Sequence, residues 1–244
     1  MIIKTEASDL VGDGSIRVFY PGTKVSNTDT GIASIGRIDH AQFEGDTLIS
    51  MHPHVNDEIL TYVRSGHIEH LDSEGYTASL NKTHLMLMKA GKSFFHEEQI
   101  VDKGEPLTAL QIFVRPAEKD LQPEVSFRTL EHATSDDKWR MIASPDEQSE
   151  LRFSSKTWLY DMHCSAVGEF ALPCELTDGK LGLLYVFNGE IEIKGGVRLR
   201  TQEAIIATNE AINFLANRQT DVVLFVTDQT APSFAGGMFS GNQV

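Results

Sequence analysis

The stretch TYVRSGHIEH, Thr61–His70, recurs as LYVFNGEIEI at Leu184–Ile193. Without gaps the two share Tyr, Val, Gly, Ile and Glu at matching places. Each reads as a strand, a two-residue turn containing Gly, and a second strand. The likeness continues outward. LMLMKAG (85–91) has its counterpart in AIIATNE (204–210), and SFFHEE (93–98) in INFLAN (212–217). Each copy then returns to an apolar strand, LTALQIFV (107–114) in the first and TDVVLFVTD (220–228) in the second. Short runs of Val, Ile, Leu, Tyr, Phe and Thr broken by Gly, Asn, Asp and Ser, with little helical periodicity, predict an all-β chain of sandwiches or barrels. The repetition predicts two tandem β-barrels. The expected division is a first barrel over 1–115, an ordered linker with irregular structure over 116–150, and a second barrel over 151–244.

The chain has 244 residues, enough for two cores of ordinary size. Its net charge of −14 disfavours direct contact with a phosphate backbone, and no Lys/Arg cluster relieves it. No apolar run approaches the length that spans a bilayer. The N-terminus, MIIKTEASDL, lacks the features of a secretory signal, so a cytoplasmic protein is expected. Two cysteines, Cys164 and Cys174, make neither a disulfide framework nor a thiolate zinc site and are expected to be free thiols.

The two copies differ in chemistry. Seven of the nine histidines, at 40, 52, 54, 67, 70, 84 and 96, lie in the first hundred residues. Aligned by position, His52 and His54 fall on Glu175 and Thr177, and His96 and Glu98 fall near Leu215 and Asn217. In MHPHVNDEILTYV (51–63), His52 and His54 sit two apart at a strand entrance, so pleating puts them on one face. His96 and Glu98 in FFHEEQ share a face of another strand in the same way. Brought together inside a barrel, these pairs give three imidazoles and a carboxylate. That set suits a divalent first-row metal with positions left open. Iron, manganese, nickel, copper and zinc all accept such ligands. Pro53 stiffens the approach by fixing φ between the two imidazoles, and Gly91 permits a tight turn before the second pair. His67 and His70, beside Glu69, read as solvated strand residues, and His40, His84, His132 and His163 as structural or exposed.

The order of these residues resembles the two signature motifs of the cupin superfamily: His-x-His, Glu58, a Gly, and later Gly91 and His96. More closely, HPHVNDEILTYVRSGHIEHLDSEGY with MKAGKSFFHEE resembles the pirin family, which includes pirin-like quercetin 2,3-dioxygenases. The resemblance is strongest over about residues 40–114. It implies two cupin, jelly-roll-like barrels packed against each other, with metal in the first only. It implies His52, His54, His96 and Glu98 as ligands to one divalent transition metal, iron(II) foremost. Glu58 matches a glutamate that is a ligand in many other cupins; here it is expected beside the site, orienting a ligating imidazole. Two departures stand out. SIRVFYPGT (15–23) replaces a longer family segment that helps wall the pocket, and Glu97 stands where the family commonly has Ser. Glu97 either points away by alternation or competes as a ligand.

The resemblance implies an enzyme that opens the ring of a flavonol such as quercetin with O2. Glu98 or Glu58 would take the substrate hydroxyl proton, and Phe94, Phe95, Met51 and Met88 are candidate apolar walls. The alternative is a non-enzymatic, iron-dependent regulatory or redox-sensing protein that acts on a protein partner. A monomer or weak dimer is expected, with no nucleic acid or membrane involved.

Overall fold

The computed structural model of the chain describes residues 1–12, 14–177 and 179–242. Among them the backbone is almost wholly extended, with two short 3₁₀ turns, Ala7–Asp9 and Pro21–Lys24, as its helical elements. Two compact units result.

One unit comprises residues 11–133, 145–155 and 232–244. Its larger sheet orders six strands as Glu124–Thr129, His84–Lys89, Glu58–Ser65, Leu107–Val114, Ile35–Phe43 and Ile16–Phe19. Its smaller sheet orders four: Thr47–His54, Phe94–Val101, His67–Asp72 and Thr77–Leu80. All neighbours are antiparallel. The core draws on both sheets: Ile59, Val63, Met86, Met88 and Phe113 from the larger, Ile68, Phe94 and Ile100 from the smaller. Each such side chain, fully removed from water, contributes about 1.5–3 kcal/mol. Alternation explains the choice, since Ile59 and Val63 share a pleat face and Leu60 takes the other.

The second unit comprises residues 1–10, 134–144 and 156–231. It also has a six-stranded and a four-stranded sheet. The six strands run Ile2–Thr5, Ala204–Thr208, Lys180–Asn188, Thr220–Asp228, Thr157–Cys164 and Arg140–Ala143. Its core is apolar, with Ile191, Ile193, Leu199, Ile205, Phe214 and Leu224 among its buried residues.

The units therefore do not divide the chain at 115 and 151. Residues 2–5 pair with Ala204–Ala207 in the second unit, and residues 232–244 return to the first. The expected linker is also structured, because Glu124–Thr129 pairs with His84–Lys89 and Arg140–Ala143 pairs with Thr157–Cys164. Local polarity marked that segment as irregular. Edge strands with one wet face carry the same composition.

The sequence repeat of 61–70 and 184–193 is also a repeat in space. Gly66, at φ 78°, joins Glu58–Ser65 to His67–Asp72, and Gly189, at φ 106°, joins Lys180–Asn188 to Glu190–Ile193. Both need a left-handed turn that a side chain would strain. The two cysteines are free, Cys164 buried and Cys174 partly so. No helix among the described residues is long and apolar enough to cross a membrane.

Candidate metal centre

Three imidazoles converge in the first unit. His54 Nε2 lies 3.0 Å from His96 Nε2, and His96 Nε2 lies 3.0 Å from His52 Nε2. The strands that carry them are neighbours, with His52 opposite His96 and His54 opposite Phe94. Thr47–His54 is the outer strand of its sheet, where Pro53 costs no ladder hydrogen bond.

A bulge aims the pair. Ile49 faces Glu98 across the ladder, yet His52 faces His96, so the strand carries one extra residue between them. That residue changes the phase of the pleat. Ile49, His52 and His54 consequently all turn inward, while Leu48 and Met51 are exposed. In an unbroken strand, Ile49 and His52 would face opposite ways.

The second nitrogen of two of the rings fixes their protons. His52 Nδ1 lies 2.9 Å from the Ser50 carbonyl oxygen, which only accepts, so Nδ1 carries the hydrogen. His54 Nδ1 lies 3.4 Å from Asp57 Oδ2 and donates to that carboxylate. Asp57 is anchored in turn by the Ser240 amide (2.8 Å), the Ser240 hydroxyl (2.7 Å) and the Phe239 amide (3.1 Å). Two Nε2 lone pairs thus point at His96 Nε2, which could donate to only one of them. Three nitrogens at this spacing with too few protons between them are a donor set for a cation. Burial lowers the pKa of His96 to about 2, with His54 and His52 adding to the effect, and burial also lowers that of His52. These rings stay neutral, as ligands must be.

The described residues offer two overlapping groups of ligand atoms within 4.8 Å of one another: His52, His54 and His96, and His70, His96 and Glu98. Glu98 is therefore gathered with His96 and with His70, and falls outside the reach shared by His52 and His54. Its carboxyl group accepts from Gln111 Nε2 at 3.2 and 3.3 Å, and burial raises its pKa to about 7. A cavity of about 30 Å³ adjoins it, with Ile16, Asp39, Thr61 and Gln111 in its wall. Ile16 belongs to the altered SIRVFYPGT segment, which thus helps wall the site here as well.

Three sequence expectations change. Glu58 orients no imidazole. It lies on the opposite pleat face from Ile59 and Thr61, and its oxygens accept the Ser154 amide hydrogen at 3.1 Å. Asp57, one residue earlier, faces His54 instead, because Asn56 at φ 55° turns the chain before the strand starts. His70 is not solvated. It is 2% exposed, and its Nε2 lies 2.9 Å from Asp72 Oδ2. His40 is buried too, and its pKa falls to about 4 through burial, with Arg17 adding to the effect. Of the proposed apolar walls, Phe94 and Met88 are core residues, whereas Met51 and Phe95 are exposed. Glu97 is partly exposed, between buried His96 and Glu98, and belongs to neither ligand group.

The second unit fills the same places with hydrocarbon, in a register three residues from the sequence estimate. His70 opposes Glu98 as Ile193 opposes Phe214, so Glu98 corresponds to Phe214 and, two residues back, His96 to Ile212. His70 could have been found this way: its counterpart in the repeat, Ile193, is a core residue. Asp57 and the Phe239–Ser240 support left no such trace, because nothing periodic links them to the histidines.

A family model described as Pirin matches residues 26–114. Over those residues the chain is similar to a pirin domain. All four proposed ligands lie inside it, as do Asp57, His70 and Asp72. A Pseudomonas aeruginosa protein named "Putative quercetin 2,3-dioxygenase" is 28% identical over 178 residues, 71% of this chain and 74% of its own length. The quercetin 2,3-dioxygenase of Escherichia coli K12 is 25% identical over 197 residues, 80% of this chain and 83% of its own. In fold, the chain is similar to the bacterial pirin YhhW of Escherichia coli in complex with nickel(II). That match has a TM-score of 0.79 and 22% identity, covering 96% of this chain and 100% of the other. The likeness is one of fold, an all-β chain of two units that each carry a six-stranded and a four-stranded sheet.

Proposed function

We propose that this protein holds one divalent transition metal ion through His52, His54 and His96, with Glu98 as the carboxylate ligand, and opens the ring of a flavonol such as quercetin with O2. The convergence of three Nε2 atoms, two of them stripped of their proton by Ser50 and Asp57, carries this reading. Three imidazoles and one carboxylate suit iron(II) as well as nickel, manganese, copper or zinc. The bound ion would supply Lewis-acid polarisation of a substrate hydroxyl. His54 and His96 are buried while His52 is partly exposed, so substrate would approach from the His52 side. Glu98, the carboxylate proposed at the ion, is the group suited to take the substrate proton there. Quercetin 2,3-dioxygenase is the name of the similar E. coli protein, and it supplies the substrate class.

A second reading is favoured by one observation. The cavity beside Glu98, at about 30 Å³, has room for about one water and none for a flavonol. An iron-binding regulatory protein acting through a protein partner needs no larger one. One experiment separates the two. Protein purified without added metal is analysed for metal, reloaded with iron(II) and with nickel(II), and given quercetin while oxygen is followed. Oxygen uptake at one O2 per quercetin lost, absent after chelation and in His96→Ala, is the expected result. A metal-loaded protein that consumes no oxygen overturns the flavonol reading and leaves the regulatory one.

A further inference from the structure

The proton of His96 is unaccounted for. For its Nε2 to face a cation, His96 must carry its hydrogen on Nδ1, as His52 and His54 do. Those two donate to Ser50 and Asp57. His96 Nδ1 is buried and has no hydrogen-bond partner among the described residues. A buried donor left without an acceptor is destabilising.

One other buried ring nitrogen nearby has the opposite need. His70 Nε2 donates to Asp72 Oδ2, and both side chains are fully enclosed. Asp72 cannot turn away, because its Oδ1 accepts the Glu74 and Tyr76 amides at 2.9 and 3.0 Å. With its hydrogen committed to Asp72, His70 presents Nδ1 as a bare acceptor, and that atom too is buried without a partner. The two rings are 5.4 Å apart between centroids and tilted by 50°. The ladder sets them there, with Asp72 opposite His96 and His70 opposite Glu98. A ligand atom of His70 lies within 4.8 Å of one on His96 and one on Glu98.

We infer that His70 is a positioning residue of the metal centre: one bridging water accepts the Nδ1 hydrogen of His96 and donates to His70 Nδ1, and so holds the His96 Nε2 lone pair toward the ion. This rests on the reading of His52, His54 and His96 as ligands. Asp72, His70 and His96 then form a line from a fixed carboxylate to the ion. Glu98 is the competing acceptor, but Gln111 and the ion claim its oxygens. The second unit, with Ile193 at the position of His70, has neither the ring to be oriented nor the ring that orients it.

The test is nickel(II) affinity, measured by chelator competition on full-length wild type, His70→Ile and His70→Gln, with metal-free melting followed alongside. The isoleucine is the residue the second unit uses. It keeps the volume apolar and removes the acceptor. The glutamine keeps an acceptor oxygen. Expected are a 10–100-fold loss of affinity in His70→Ile, no lower melting temperature without metal, and affinity within a few-fold of wild type in His70→Gln. Affinity in His70→Ile within threefold of wild type overturns the inference, as does an equal loss in both variants. If His70→Ile fails to fold, Asp72→Asn asks the same question. Its amide would donate to His70 Nε2 and put the hydrogen on Nδ1, so affinity falls tenfold or more, and unchanged affinity overturns the inference. Wild type that holds no nickel removes the ligand reading itself and this inference with it, whereas a nickel-binding wild type with an unaffected His70→Ile sinks this inference alone.

Discussion

Glu98 sits where two demands meet. Burial pushes its carboxyl group up to about 7, and a metal ligand must be ionised. Below pH 7, each ion bound therefore displaces about one proton from Glu98. Nickel(II) affinity is expected to fall about tenfold per pH unit from 7 down to 5 and to level off above 7.5. Glu98→Gln should flatten that profile, and a slope that survives the substitution would assign the proton to another group. Glu58 offers a contrast at the same scale. Burial raises its pKa to about 7 as well, but it faces Ser154 and no imidazole. A carboxyl group whose folded pKa is raised favours folding below its unfolded pKa of about 4.5 and loses that contribution as pH climbs through 7. Glu58→Gln should accordingly raise stability at pH 8 by up to about 3 kcal/mol, change little at pH 5, and leave nickel affinity within threefold. Urea unfolding at the two pH values checks the first part, and chelator competition the second.

At the scale of elements, the Thr47–His54 strand decides the geometry. Two local devices act in series: the i, i+2 pleat that pairs His52 with His54, and the bulge after Ile49 that turns the pair inward. The pleat was legible in the sequence. The bulge was not, because a strand with one extra residue has the same composition as one without it. Deleting Met51 takes out the extra residue and leaves Ile49 and His52 two apart on an even pleat, so both rings should still face inward. Nickel affinity should then stay within about tenfold of wild type while far-UV circular dichroism keeps its β signature. A loss of about 100-fold or more in that deletion would show that the bulge does more than restore the phase of the pleat. His70 was misread for a related reason. HIEHLD alternates polar and apolar residues so freely that composition named no inner face, and only comparison with Ile191 and Ile193 in the repeat identifies it.

At the scale of the molecule, chain order and spatial order part company. Residues 232–244 return to the unit that carries the histidines. There Ser240 and Phe239 grip Asp57, Phe239 packs on His54 at 4.9 Å between ring centroids, and buried Arg115 donates to the Ser240 carbonyl and to Asn242. Truncation after Ala231 removes no proposed ligand. It should still lower stability by about 2–5 kcal/mol, through an underpaired buried arginine and lost aromatic packing. Nickel affinity should fall about 10-fold or more as His54 loses its oriented carboxylate. Thermal melting and chelator competition measure these separately, and unchanged affinity in a folded truncation would deny Asp57 its part.

The repeated TYVRSGHIEH pattern, the spacing of turns and the loss of histidines from the second copy were sufficient to fix an all-β, two-barrel chain and to single out His52, His54, His96 and Glu98. Those features depend on periods of two residues and on turn chemistry, and both act between near neighbours in the chain. Tertiary structure alone decided that Asp57 and not Glu58 serves His54, that His70 lies buried beside His96, and that the last segment supports the first barrel. Each of those contacts joins residues brought together by a bulge, a cross-strand register or a returning terminus. Register and long-range packing are chosen by the free energy of the whole core, and no short window of sequence carries that sum.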